Sequence, residues 1–189
     1  YHILIESQAN DNQIIFQKQD ADNFSVTVAL SASNSSEECD MIFNVYSGSQ
    51  NIFASASISK GSFVHVVNEY DRDNFGNLKI FFNQTEIVSS STGNQFSDLG
   101  MNRADFIIGS GSSVKVKYAS DPWFGVTHFI PKETFSGSLD EVRIFHETRS
   151  IEKQKDKGYK SIYPENGDLR VYFKFNEPTG SYEPRNVVL

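Results

Sequence analysis

Apolar and polar residues alternate along most of the chain with a period of two, the spacing of a half-buried strand. Phe24, Val26, Val28 and Leu30 fall on one face of such a strand, with Ser25, Thr27 and Ala29 on the other. Leu169, Val171, Phe173 and Phe175 repeat the pattern opposite Arg170, Tyr172 and Lys174. The same rhythm predicts strands over 2–5, 13–17, 41–46, 52–58, 63–69, 78–82, 86–89, 106–108 and 114–118, punctuated by Gly, Asn, Asp and Ser. Many short strands at this spacing predict an all-β sandwich or barrel. One segment reads as helix, near 150–158. Ser150 caps it, Glu152 sits where the helix dipole favours a negative charge, and Gly158 stops it. So short and polar a helix must pack on the sheets, and Ile151 is its apolar contact.

The alternation breaks between Phe135 and Phe145. Phe135 and Leu139 are apolar at odd positions, Val142 and Ile144 at even ones. An extra residue in a strand sends the following side chains to the other face. A bulge at Asp140 and Glu141 would keep Leu139, Val142 and Ile144 all inward. The two carboxylates then either accept the backbone N–H groups freed there or simply face water.

Composition narrows the class. The chain has 189 residues, 38% of them hydrophobic, with 16 Phe and 8 Tyr, enough to bury a core in one domain. Net charge is −7 and no basic cluster interrupts it, which excludes nucleic acid as the expected partner. No apolar run reaches the roughly 20 residues of a membrane span. Cys39 is the only cysteine, so an intrachain disulfide is excluded, though the compartment is left open. Residue 1 is Tyr, and the chain reads as a piece of something longer.

The motif F-x-G-x-L-D-E-V-R-I-F at Phe135–Phe145, followed by a polar linker and a short helix, resembles the signature near the end of laminin G-like domains. These belong to the concanavalin A-like lectin and glucanase class, which includes pentraxins. Two upstream stretches are similar to that family in the same order: FVHVVNEYDRDNFGNLKIFFN at Phe63–Asn83 and DFIIG at Asp105–Gly109. The resemblance covers most of residues 24–163. It implies a two-sheet antiparallel jelly roll over 1–189. LRVYFKFNEPTG at Leu169–Gly180 resembles the start of such a domain, so 169–189 is either a closing strand against the N-terminal region or the opening of a following repeat. The clean alternation favours the closing strand.

Candidate chemistry is sparse. Glu38-Cys39-Asp40-Met41-Ile42-Phe43 resembles the E-x-D-x-x-E strand of laminarinase-like relatives, but Phe43 stands where their acid/base Glu belongs. Retaining hydrolysis needs two carboxylates about 5 Å apart, so no enzyme is expected. Asp71 and Asp73 open a D-x-D-x-x-G run like a calcium loop. Phe75 and Phe82 occupy two of its ligand positions, which favours a β-hairpin turn. Relatives of pentraxin type carry acidic calcium ligands just after the I-x-L-G strand. Here that stretch is Ser110–Ser113 and has no carboxylate, with Asp121 alone further on. Calcium is therefore the one ion considered, without a full ligand set, and no cofactor is expected. His65 sits in an apolar strand at the position that the resembling family fills with His, so a core or edge residue is expected, and His2 and His146 have no Cys or His at ligand spacing.

Tyr118–Phe135 is the longest stretch without strand rhythm and holds the only Trp, Trp123, beside Phe124, His128 and Phe129. Inserted loops often carry recognition. These residues, with Asp121, are the candidate ligand site for a sugar ring or another protein chain; the alternative is that Trp123 and Phe124 close over the core. The expected function is non-catalytic recognition of glycan or protein within a larger extracellular, cell-surface or virion-surface protein. Alternatives are an assembly domain of a large complex such as a virus particle, and a degenerate glycoside hydrolase. Resemblance carries this expectation, since a fold alone does not fix a function.

Overall fold

The computed structural model describes residues 1–20, 24–47, 50–73, 76–91, 104–115, 128–158, 160 and 168–175. Two sheets carry it. A five-stranded antiparallel sheet runs in the order β13 (Gly137–Asp140), β1 (His2–Ile5), β6 (Phe63–Asp71), β7 (Asn77–Phe82) and β8 (Thr85–Ser91). The other runs β12 (Glu133–Thr134), β2 (Gln13–Asp20), β3 (Phe24–Leu30), β4 (Glu38–Ser47) and β5 (Gln50–Ser59), with β9 (Phe106–Ile108) also paired to β2. Only β12 joins it parallel. Two short pairs complete the fold: β10 (Val114–Lys115) with β11 (His128–Phe129), and β14 (Val142–Phe145) with β15 (Leu169–Phe173).

The predicted alternation builds the interior. Cys39, Met41, Phe43 and Val45 of β4 and Ile52, Ala54, Ala56 and Ile58 of β5 point inward, meeting Ile3, Ile5, Val64, Val66, Leu78 and Ile80 from the opposite sheet. Each large aliphatic side chain buried this way contributes about 1.5–3 kcal/mol. A second cluster lies on the outward face of the larger sheet. There Ile14, Ala29 and Ile42 are covered by Val114 and Phe129 of the β10–β11 pair. Beside it the outward face is polar yet buried: Gln17 donates to Ser112 O (3.0 Å) and accepts from Ser112 N–H (2.7 Å), which pins the loop after β9. Lys60 is buried too, its ammonium donating to Ala9 O and Ser35 O at 2.7 Å and tying three loops together.

Gly137 explains the glycine of the F-x-G motif. A Cβ there would lie 2.1 Å from Leu4 O, so only glycine lets β13 pair with β1. The parity break has a different cause from the one expected. Glu141 adopts a left-handed φ of 52°, and the chain leaves the five-stranded sheet there to pair with β15 instead. Leu139 and Val142 still pack on the main core, while Ile144 is half-buried. The register shift falls in the partner strand, where Arg170 is unpaired between Leu169 and Val171. That strand pairs with β14, not with the N-terminal region.

The helix, α1 (Ile151–Lys157), starts as expected, with Ser150 Oγ accepting from Lys153 N–H. Its buried face differs: Ile151 is 40% exposed, whereas Gln154 is 6% exposed. Gly158 stays right-handed, and a Cβ there would sit 3.3 Å from His65 Cε1, so the glycine lets the helix end lie on that ring. Among the described residues no helix is long and apolar enough to cross a membrane.

Candidate functional site

Alternation places Val64, Val66, Asn68 and Tyr70 of β6 on the inward parity. The first two reach the core; the next two stand at the end where β1 no longer covers β6. Here β14 and α1 pass over the open end of the sandwich and leave a cavity of about 270 Å³. Its floor is apolar: Phe16, Val26, Val28, Phe43 and Phe106, with the Phe16 and Phe106 rings stacked 5.9 Å apart. Its rim is polar and comes from β6, β14 and the start of α1.

Two amides in this wall are incompletely used. Asn68 Oδ1 accepts from Tyr1 Oη (2.8 Å), and its buried Nδ2 has no partner among the described residues. Gln154 Nε2 donates to Arg149 O (2.9 Å), and its buried Oε1 likewise has none. Native buried amides are nearly always satisfied.

The charged groups are paired or masked. Glu141 accepts from both Tyr172 Oη and the Arg143 guanidinium. Burial pushes its carboxyl up, but the hydrogen bonds from Tyr172 and Arg143 outweigh that and hold it below the usual range. Tyr172 is pushed up by burial and by its bond to Glu141. Arg149 lies over the Phe145 ring, 4.3 Å from its centroid, a cation–π contact. Glu69 is half-buried, and loss of solvent raises its carboxyl above the ordinary range despite Lys79 nearby. His65 packs against the His2 ring (4.9 Å), and burial pushes it down to about 3, so it is neutral.

The expected site residues fare differently. Asp121, Trp123 and Phe124 lie outside the described residues, as does the side chain of His128. Phe129 packs inward against Ile14, Ala29, Ile42 and Val114, so its ring completes the outward-face cluster and is not available for surface contact. Asp71 Oδ1 accepts from Asp73 N–H (3.1 Å), the local bond of a turn, which fits the hairpin reading. Asp140 pairs with His2 in the β13–β1 ladder, and Glu141 serves side chains, not freed backbone N–H groups. Phe43 lies in the core, so the strand that resembles E-x-D-x-x-E has an apolar floor residue at its last position. At the edge of this cavity His146, Glu147 and Asp168 bring one donor atom each within 4.8 Å of one another, a grouping that sequence spacing did not indicate. Sequence reading missed Asn68, Glu69 and Gln154. Asn68 had a legible signal, an amide on the inward parity of an otherwise apolar strand.

A family model described as concanavalin A-like lectin/glucanases superfamily matches residues 3–154. No curated protein and no solved structure matches the chain significantly. With the antiparallel sandwich and the matched span together, the chain belongs to the concanavalin A-like lectin/glucanase superfamily.

Proposed function

We propose that this domain is a non-catalytic recognition module that binds a glycan or another protein chain, as part of a larger extracellular or particle-surface protein. The observation that carries this is the cavity at the open end of the sandwich, apolar within and ringed by convergent polar side chains, the usual make-up of a binding site. Phe43, a core residue at the position where the E-x-D-x-x-E pattern has its last Glu, supports the non-catalytic part. Glu141 is engaged by Arg143 and Tyr172 and so clasps the start of β14 to β15. Aromatic floor residues also suit the apolar face of a sugar ring or of a partner's side chain.

A glycan array, run with and without chelator beside the Trp123→Ala variant, tests this reading. Retention of an intact glycan by both proteins, unaffected by chelator, is the expected result. Release of new reducing ends overturns the non-catalytic part. Loss of signal in Trp123→Ala moves the seat to the loop, and loss with chelator moves it to His146, Glu147 and Asp168.

A further inference from the structure

We propose that His146, Glu147 and Asp168 form a site for a zinc-type divalent cation, which fastens the β14–β15 ribbon at the edge of the cavity. This site stands or falls independently of the recognition reading above.

The backbone ladder brings the ligands together. Phe145 pairs with Leu169 at the end of the ribbon, and one rung further His146 N–H donates to Asp168 O (3.0 Å). His146 and Asp168 are therefore cross-strand neighbours although 22 residues apart in the chain. Glu147 follows directly, and one donor atom from each of the three lies within 4.8 Å of the others. Two carboxylates alone would be an ordinary solvated pair. The imidazole changes this. Its Nδ1 faces the Asp168 carbonyl at 3.4 Å. A carbonyl only accepts, so Nδ1 holds the ring proton and Nε2 is left as the bare nitrogen. A backbone carbonyl that orients the ring in this way is the common outer partner of a metal-bound histidine. Nε2 stands 3.8 Å from Glu147 Oε1, beyond hydrogen-bond reach. Two donors on one tetrahedral ion, each about 2.1 Å from it, lie about 3.4 Å apart. Small rotations of the two exposed side chains close the difference.

The donor set chooses the ion. One imidazole nitrogen with two carboxylates suits zinc and its neighbours among the transition metals. Calcium takes six to eight oxygens, which these three residues do not supply. The site uses none of the residues considered above for calcium. The ribbon also has a use for a clamp. It has two strands, and among the described residues its own cluster buries only Leu169 and Tyr172. A lone two-stranded ribbon is marginal in water. An ion held by both strands at this end keeps it closed.

The test is calorimetric titration of the whole chain, stripped with chelator, using zinc chloride and calcium chloride in parallel. His146→Gln and Asp168→Asn keep the side-chain size and weaken the ligand. The expected result is one zinc bound per chain, no calcium bound at the same concentrations, and a loss of at least about tenfold in zinc affinity in each variant. Zinc at about 100 times its Kd should also slow hydrogen exchange of the β14 and β15 amides by up to about a hundredfold in the wild type, and leave it unchanged in the variants. If either variant fails to fold, Glu147→Gln, whose side chain is the most exposed of the two for which it is known, decides in its place. Absence of zinc binding, equal affinity in the variants, or calcium binding as tight as zinc overturns the site. Zinc binding that the variants lose without any effect on ribbon exchange supports the site and overturns the fastening.

Discussion

The two ends of one interior are built to opposite rules. At the closed end Ile3, Ile5, Leu30 and Ile58 meet with no more than 2% exposure each. At the open end the sheets present Val26, Phe43 and Asn68, and the stretch from Glu141 into β14 brings Glu141 and Arg143 beside them. The closed end is satisfied by its own atoms. The open end keeps two amide groups unanswered among the described residues and a carboxyl raised by burial, costs that stability alone would remove. Such a division is expected where one half of a core holds the fold and the other half is shaped for something else.

Substitutions should separate the halves. Ile58→Ala in the closed end should cost about 2–5 kcal/mol, read as a lower denaturant midpoint with an unchanged slope. A loss under about 1 kcal/mol would mean that this end is not the tightly packed one. Glu141→Gln in the open end should cost about 1–3 kcal/mol, because Arg143 loses a charged partner. The Glu141 carboxyl is held below its unfolded value, so its contribution is present above the ordinary carboxylate range and disappears as pH falls through the depressed value. Acid unfolding curves of wild type and Glu141→Gln should therefore converge at low pH, and parallel curves would contradict the clasp. Glu69→Gln should have the smallest effect and the opposite sign. A carboxyl raised by burial favours its protonated form, so its ionisation at neutral pH opposes folding. The neutral variant should melt slightly higher at pH 7, and the difference should vanish on acidification.

The strands were legible because alternation is a local property. Phe24–Leu30 and Phe106–Ile108 begin and end where their side chains predict. The family signature located β13 and β14, but the cause of its parity break was hidden. Whether a chain kinks within a strand or changes partners depends on where β15 lies, and that is decided some 25 residues later. Phe129 was misplaced for a similar reason. It sits in an irregular stretch, and its burial depends on Ile14, Ala29 and Ile42 being apolar on the outward parity of three different strands. The cavity was the least legible part. Gln154 looks like any polar helix residue until the helix is laid against β6, and only then does its carbonyl lack a donor.

The solitary thiol of Cys39 faces the sealed end, and burial pushes it up to about 11, with Lys60 opposing weakly. Thiolate is the reactive form, so the native protein should be nearly inert to alkylating reagents at neutral pH. Labelling then requires the sandwich to open, and its rate becomes an intrinsic clock for that opening. A ligand held between the layers should slow this clock in proportion to its occupancy, which makes one unmodified atom a reporter for any compound offered to the domain.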